Sequence, residues 1–472
     1  MQMDKKDLIL KLNEIKGTIG NKINPSLIKD IAAIYGLWLR DKSNKVIIGR
    51  DTRPSGELIE NALIEGLHSV GCKVNNLGIC PTPIFFYLKS KFNIKGGILI
   101  SDSNKPIDWN KIKLYIDEDF SFNLELKDKY RTQNKEYSKR YDYIQKNQIL
   151  QDINPISTYI NDLLDKFNIE KIRSLNNLRV IVDPGGGAGK YVTPKILERL
   201  GCEVLVINKD LDKNSEFPRE LKPIKENLKE SILALWKGNL DVGFTHDSDA
   251  NKLTVIGDDF ECYSEDVMSA LIIDDYLKHK DKGDKKFIFF TNLASSLRFE
   301  ILAERYNIQI LKSYGENKYF KQRMDELLKK EDYFVFSSEG LFGGPVFPFF
   351  NKVRDGFFIS AKLVEILAKS GKKLSKLIPR LPKFYSYEEK IPAIKQKLDF
   401  IIKRFCDELI KEGEIVNKIG NNLRFGHEKD WFVLIYPSKH YIKVYSEARR
   451  DSLARLYCEA TTELLKLIIS KS

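Results

Sequence analysis

Short apolar runs separated by stretches of helical spacing recur three times between Lys45 and Phe336. In the first set Lys45–Gly49, Cys72–Leu77 and Gly97–Ser101 read as strands, and Ser55–Val70 carries helical spacing. The second set has strands at Leu178–Val182, Cys202–Ile207 and Asp241–Thr245, with a helix over Lys190–Leu200. The third has Phe287–Phe290, Ile308–Leu311 and Tyr333–Phe336, with helices between them. Strands that are apolar throughout, alternating with amphipathic helices, need a mostly parallel sheet with helices on both faces. After Arg380-Leu381-Pro382-Lys383 the rhythm shifts to an α+β tail, with a helix expected over Pro392–Glu412 and strands at Trp431–Ile435 and Tyr441–Ser446. A chain of 472 residues is too long for one hydrophobic core. The polar stretch Lys129–Asn154 reads as a loose connection closing the first unit, and Gly257–Asp259 as a turn ending the second. The expected architecture is therefore α/β, with three similar mixed-sheet α/β domains and a smaller C-terminal α+β domain. Their expected limits are 1–153, 154–258, 259–378 and 379–472. No short-period repeat is present, which argues against a solenoid.

The net charge of +12 favours anionic ligands. The lysine excess is diffuse, and no lysine block alternates with aromatics as a nucleic-acid groove requires, so phosphorylated small molecules fit better than nucleic acid. Cys72, Cys80, Cys202, Cys262, Cys406 and Cys458 lie far apart, with no Cys-x-x-Cys and no neighbouring histidine pair. That spacing argues against a zinc site and a disulfide scaffold, and for a reducing compartment. The start, Met1-Gln2-Met3-Asp4-Lys5-Lys6-Asp7, lacks the apolar core of a signal peptide. No apolar run reaches the ~20 residues of a membrane span. A cytoplasmic protein with no membrane partner is expected.

The segment Gly96-Gly97-Ile98-Leu99-Ile100-Ser101-Asp102-Ser103-Asn104-Lys105-Pro106 runs from an apolar strand into a small polar loop with the hydroxyl of Ser103 at its tip. A second apolar run, Ile112-Lys113-Leu114-Tyr115, follows. The arrangement suits a nucleophile at the carboxyl end of a sheet strand, where open α/β sheets place their ligands. It also resembles the phosphoserine loop of the α-D-phosphohexomutases, whose pattern is Gly-Ile-Met-Ile-Thr-Ala-Ser-His-Asn-Pro followed by Gly-Ile-Lys-Leu-Tyr. Gly49-Arg50-Asp51-Thr52-Arg53-Pro54-Ser55-Gly56-Glu57 is similar to a first-domain signature of that family. Read structurally, Asp51 and the arginines brace a turn while Ser55 caps the next helix. Asp247-Ser248-Asp249-Ala250-Asn251-Lys252 resembles the family's metal loop Asp-Gly-Asp-Ala-Asp-Arg, with Asn251 and Lys252 in place of the last acid and the arginine. Ser338-Glu339-Gly340-Leu341-Phe342-Gly343 resembles the sugar-binding Gly-Glu-x-Ser-Gly loop, with leucine at the serine position. Asp183–Gly189, Tyr314–Lys318 and Arg354-Asp355-Gly356 also follow the pattern. Tyr436-Pro437-Ser438-Lys439-His440-Tyr441 stands where the family has a phosphate-gripping Arg-Pro-Ser-Gly-Thr-Glu-Pro.

The resemblance covers nearly the whole chain and implies four domains around a central cleft. It implies transfer of a phosphoryl group between the 1- and 6-positions of a hexose phosphate (glucose, mannose or glucosamine), through a phosphoserine and a bisphosphate. It further implies Ser103 as the phosphoryl carrier, with Lys113 and Lys16 as the other catalytic groups. Mg²⁺ falls to Ser103, Asp247, Asp249 and Asn251. Substrate falls to Lys252, Glu316, Glu339, Ser438, Lys439, His440 and Lys443. A monomer or homodimer is implied. Lysine stands for arginine at Lys16, and Asp102 and Asn104 flank the nucleophile. These departures leave open a paralogue that binds a phosphosugar or a protein partner without turnover.

Overall fold

A computed structural model describes residues 14–20, 23–40, 42–102, 105–116, 154–279, 285–313, 317–330, 332–338, 344–393, 395–427, 429–438 and 441–471. The chain divides into two compact units, Met1–Met268 with Phe350–Lys376, and Ser269–Phe349 with Leu377–Ser472.

The first unit opens with β1 (Glu14–Thr18), β2 (Lys45–Arg50), β3 (Lys73–Ile79), β4 (Gly96–Ile100) and β5 (Trp109–Ile116), in the spatial order β1-β5-β4-β2-β3. Strands β3, β2 and β4 are parallel, whereas β5 returns antiparallel to β4 and β1 antiparallel to β5. β4 is buried along its whole length, which explains its unbroken apolar sequence. Its first two residues are glycines for a steric reason. A Cβ on Gly96 would lie 2.3 Å from Leu39 Cδ2, and one on Gly97 would lie 2.9 Å from Phe85 Cζ. The pair lets helix Pro25–Arg40 close on one face and helix Thr82–Lys91 on the other. Asn24 caps the former by accepting from Leu27 N at 2.8 Å.

A second sheet in the same unit contains β6 (Arg179–Asp183), β7 (Glu203–Val206), β8 (Val242–His246), β9 (Leu253–Ile256) and β10 (Cys262–Tyr263), in the order β10-β9-β8-β6-β7. β7, β6 and β8 are parallel and β9 returns antiparallel to β8. Ile181, Leu228, Leu235 and Ile256 form the core under helix Lys229–Lys237.

In the second unit β11 (Lys286–Asn292), β12 (Gln309–Ser313), β13 (Tyr333–Ser338) and β14 (Pro345–Phe347) run in the order β12-β11-β13-β14. The first three are parallel and β14 is antiparallel to β13. The next stretch of chain, β15 (Asn351–Arg354) and helix Gly356–Ser370, belongs to the first unit. The second unit ends with an all-antiparallel sheet of β16 (Tyr385–Pro392), β17 (Val416–Ile419), β18 (Asn422–His427), β19 (Trp431–Pro437) and β20 (Tyr441–Ala448), ordered β16-β20-β19-β18-β17. Helices Leu398–Lys411 and Asp451–Ser470 cover one face of it. Phe432, Leu434 and Tyr445 on the other face pack against Leu293, Ala294 and Leu297.

Three α/β sheets thus share one plan, a parallel trio followed by an antiparallel return, and a fourth, antiparallel sheet closes the chain. The mixed-sheet expectation holds, and the mostly parallel description needs the return strand added. The helix expected over Pro392–Glu412 begins instead at Leu398, because Tyr385–Pro392 alternates in exposure as a strand. Pro392 ends that strand at the sheet's edge, where a missing N–H costs no ladder bond. Among the described residues no helix is long and apolar enough to cross a membrane. All six cysteines are unpaired.

Candidate active site

The shared plan gives three loops one topological position, the exit of the third parallel strand. The β4–β5 loop carries Ser103, the β8–β9 loop carries Asp247 to Lys252, and the β13–β14 loop carries Glu339. This is the carboxyl end of the parallel strands, where the backbone leaves the sheet and polar side chains are freed from strand packing. Ser103, Asn104, Glu316, Glu339, Lys439 and His440 lie outside the described residues.

Within the first unit the first two loops are laced together. Ser101, buried where β4 ends, donates from Oγ to Asp249 Oδ2 at 3.0 Å. Thr82 Oγ1 donates to the same oxygen at 3.1 Å, and Thr82 N donates to the Asp249 carbonyl at 3.0 Å. Ser248 Oγ reaches the Asp102 carbonyl at 3.4 Å. Behind them, a Cβ on Gly187 would sit 2.5 Å from the Ser248 carbonyl oxygen, so glycine is what permits the contact. Ala188 N then donates to that oxygen at 2.8 Å. Thr52 Oγ1 donates to the Gly186 carbonyl at 2.7 Å, a further tie between the two domains.

Asp247 closes its own loop by accepting at Oδ1 from Asn251 N at 2.9 Å and Lys252 N at 3.0 Å. Two buried carboxylate oxygens, Asp247 Oδ2 and Asp249 Oδ1, are left without a hydrogen-bond partner. Burial and then the charge of Asp249 push the Asp247 carboxyl well above its ordinary value, against the pull of Lys252 and Arg354. Unsatisfied buried carboxylate oxygens are costly unless a cation takes them up. Two residues apart on one turn, with the amide of Asn251 beside them, they suit a hard divalent ion. Among the described residues no group of three or more His, Cys, Asp or Glu is placed to hold a metal, since the remaining donors here are an amide and Ser103.

The Gly49–Glu57 segment braces the phosphoserine-type loop from below. Asp51 and Arg53 form a buried ion pair, and Arg53 donates to the Lys105 carbonyl at 2.6 Å and the Pro106 carbonyl at 3.4 Å. Ser55, expected to cap the following helix, makes no side-chain cap bond. Its hydroxyl instead pairs with the side chain of Asn110, whose Nδ2 donates to it at 2.8 Å.

Lys16 and Lys113 lie on one face of the first sheet, two register positions apart. Ile15 opposes Ile112, and these face the core under helix Pro25–Arg40. Strand alternation places Lys16, Lys111 and Lys113 on the opposite face, with Lys16 directly across from Lys111. Lys252 is half-buried in the metal-type loop. In the fourth domain Ser438 N donates to the Tyr441 carbonyl at 2.7 Å, closing the β19–β20 hairpin. Lys443 Nζ lies 2.9 Å from Glu388 Oε2, so its charge is shared with a strand neighbour.

Sequence reasoning missed four supports of this site. Ser101 and Thr82 were not singled out. His246 is fully buried, with Nε2 2.8 Å from Thr193 Oγ1, and burial lowers its pKa to about 4, which keeps it neutral. Glu265 receives Leu253 N at 2.7 Å and pairs with Arg354, fixing the start of β9. The only sequence signal for Ser101 and Thr82 is a small hydroxyl at a strand exit and at a helix start.

Similar proteins carry the same plan. The description "Phosphoglucomutase/phosphomannomutase, alpha/beta/alpha domain I" matches residues 8–140, domain II matches 157–259 and domain III matches 264–385. A phosphoglucomutase/phosphomannomutase of Thermococcus kodakarensis is 30% identical over 461 residues, covering 96% of this chain and 97% of that one. A probable phosphoglucosamine mutase of Pyrococcus horikoshii is 25% identical over 472 residues, covering 96% and 97%. The crystal structure of a phosphoglucomutase/phosphomannomutase family protein from Burkholderia thailandensis superposes with a TM-score of 0.79 at 20% identity, covering 99% of this chain and 98% of that one. The family needs a divalent metal, which the orphaned oxygens of Asp247 and Asp249 fit. With all three α/β domains matched and a 30% identical relative aligned nearly end to end, this chain belongs to the phosphoglucomutase/phosphomannomutase family and is an enzyme of the phosphohexomutase type.

Proposed function

We propose that Ser103 carries a phosphoryl group and exchanges it with the 1- and 6-hydroxyls of a hexose phosphate of the glucose, mannose or glucosamine series. The observation that supports this most is the pair of orphaned oxygens on Asp247 and Asp249, in a loop that Ser101 and Ser248 tie to the loop bearing Ser103 through Asp249 Oδ2 and the Asp102 carbonyl. In the forward half the Ser103 Oγ–P bond breaks and a bond from phosphorus to the sugar oxygen forms. Lys113 takes the hydroxyl proton and gives it to the departing Ser103 Oγ, and Lys16 offers positive charge to the phosphate from the same sheet face. The resulting bisphosphate reorients and returns its other phosphoryl group to Ser103. Such transfer depends mostly on positioning and charge neutralisation. Mg²⁺, held by Asp247, Asp249 and Asn251 with Ser103, supplies neutralisation at the phosphoryl oxygens when bound. Lys252, Glu316 and Glu339 orient the sugar, and Ser438, Lys439, His440 and Lys443 hold the phosphate that is not reacting. Asn251 brings one negative charge fewer than an acid, and weaker metal binding follows.

The same reading divides the chain at 153/154, 258/259 and 378/379, and sets the enzyme in a reducing cytoplasm in keeping with its six unpaired cysteines. A paralogue without turnover is the weaker alternative, because the relatives that align nearly end to end are named as mutases. Intact-mass measurement and a coupled assay with glucose, mannose and glucosamine 1-phosphates, primed with the matching bisphosphate and Mg²⁺, test the proposal. A phosphorylated fraction and turnover, both lost in Ser103→Ala, are expected. Turnover that survives Ser103→Ala would rule it out.

A further inference from the structure

We infer that Ser101 and Thr82 are positioning residues for Asp249, setting how tightly the enzyme holds its divalent ion. The inference rests on the reading above that Asp247 and Asp249 are metal ligands. Asp249 has one carboxylate oxygen taken by two hydroxyls and the other left bare. Oδ2 accepts from Ser101 Oγ at 3.0 Å and from Thr82 Oγ1 at 3.1 Å, while Oδ1 is buried with no partner. A carboxylate without these donors rotates about its terminal torsion, whose energy profile is broad. Two donors on one oxygen stop that rotation and assign the remaining oxygen to the metal. The carbonyl of Asp249 is fixed as well, by Thr82 N at 3.0 Å. Side chain and backbone of the ligand are therefore held by the same residue at the start of helix Thr82–Lys91.

The two hydroxyls differ in what they report. Thr82 starts the helix that precedes β4 and lies in neither loop, with Asp249 167 residues away, so it supplies a reference outside both loops. Ser101 stands two residues before Ser103 on the same loop. Its bond to Asp249 makes the aim of the metal ligand depend on the placement of the loop that is to carry the phosphoryl group. Partners of this kind behind a metal ligand change affinity by about 10- to 100-fold when removed.

Mn²⁺ binding to the full-length protein, read by electron paramagnetic resonance, tests this without relying on turnover. Wild type is compared with Ser101→Ala, Thr82→Val, the hydroxyl-preserving Ser101→Thr and Thr82→Ser, and Asp249→Asn. The expected result is Mn²⁺ affinity lowered about tenfold in Ser101→Ala and in Thr82→Val. Affinity should stay near wild type in the two hydroxyl-preserving variants and be lost in Asp249→Asn. The rise in melting temperature on adding Mn²⁺ should shrink in the same order, whereas a purely structural role lowers the metal-free melting temperature and leaves that rise intact. Unchanged affinity in both hydroxyl deletions, with Asp249→Asn inactive in binding, overturns the inference and leaves the metal site standing. Binding that survives in Asp249→Asn overturns both. If Ser101→Ala does not fold, Thr82→Val against Thr82→Ser decides the matter alone.

Discussion

At Asp355 four donors meet one buried carboxylate: Tyr159 Oη at 2.7 Å, Asn351 Nδ2 at 2.8 Å, and the backbone amides of Phe357 and Phe358 at 3.1 Å each. The amides are the start of helix Gly356–Ser370, so the residue is both its N-cap and a junction for the segment around Tyr159. Burial still outweighs the donors and raises the pKa from 3.8 to about 6. The sign follows from proton linkage. Between 3.8 and about 6 the folded protein keeps a proton that the unfolded chain has released, so this residue's contribution falls as pH rises through that window and is constant above it. The stability of wild type relative to Asp355→Asn should therefore drop by on the order of 3 kcal/mol between pH 4 and pH 7. Urea denaturation at several pH values measures it, and a flat difference contradicts the assignment. Chemistry at this scale was only partly readable beforehand. Asp247, Asp249 and Lys113 stand in recognisable strings, because each motif is local. The donors to Asp249 come from residues 148 and 167 positions away, and no local pattern announces them. Ser55 misled for the same reason, since Asn110, 55 residues on, takes the hydroxyl that a local rule gave to the helix.

Each α/β sheet is an element that turns three parallel strands and a return into one loop at the exit of the third strand. The parallel strands were legible in sequence because buried parallel strands are continuous apolar runs, whereas the helix Pro25–Arg40 and its cap Asn24 were not read. The β16 edge strand was not legible, because its alternation, Tyr385-Ser386-Tyr387-Glu388-Glu389-Lys390-Ile391, merges into the helical pattern beyond Pro392. Between the elements of the first unit the decisive contact is Gly187 against Ser248. Gly187→Ala places a methyl group 2.5 Å from a backbone oxygen that cannot swing away as a side chain does. The metal-type loop must then shift, at a cost of about 1–3 kcal/mol. The expected outcome is a lower melting temperature together with weaker Mn²⁺ binding, measured on the same preparation. A loss of stability with metal affinity untouched would show that the loop tolerates the shift.

Over the whole molecule, one buried arginine adds polar ties to the apolar contact between the two sheets of the second unit. Arg424 on β18 stacks 3.8 Å over the Phe432 ring, donates to the Leu293 carbonyl at 2.5 Å and pairs with Glu300 at 3.2 Å. Nearby, Glu447 accepts from Ser296 Oγ at 3.0 Å and Leu297 N at 2.7 Å, so the start of helix Leu297–Arg305 is capped from the fourth sheet. Removing one partner of a buried ion pair typically costs about 3–5 kcal/mol. In Arg424→Ala, hydrogen exchange should rise in β18, β19 and residues 293–300, while β4 and β8 in the first unit keep wild-type protection. Equal loss of protection in both units would mean that the molecule unfolds as a single block.

The lacing of Asp249 also has a consequence for how such enzymes diverge. A carboxylate that accepts two hydroxyls from a neighbouring domain is costly to replace by any residue without an acceptor oxygen there, because the orphaned hydroxyls then penalise the new residue. Drift at position 249 to a residue without an acceptor is eased where 82 and 101 lose their hydroxyls as well. The three positions should therefore tend to change together, whereas Asn251, whose backbone N–H is what Asp247 engages, can change without stranding those hydroxyls, at the expense of the ion it would help hold. Its substitution marks the direction in which this lineage could move without first dismantling the joint between its domains.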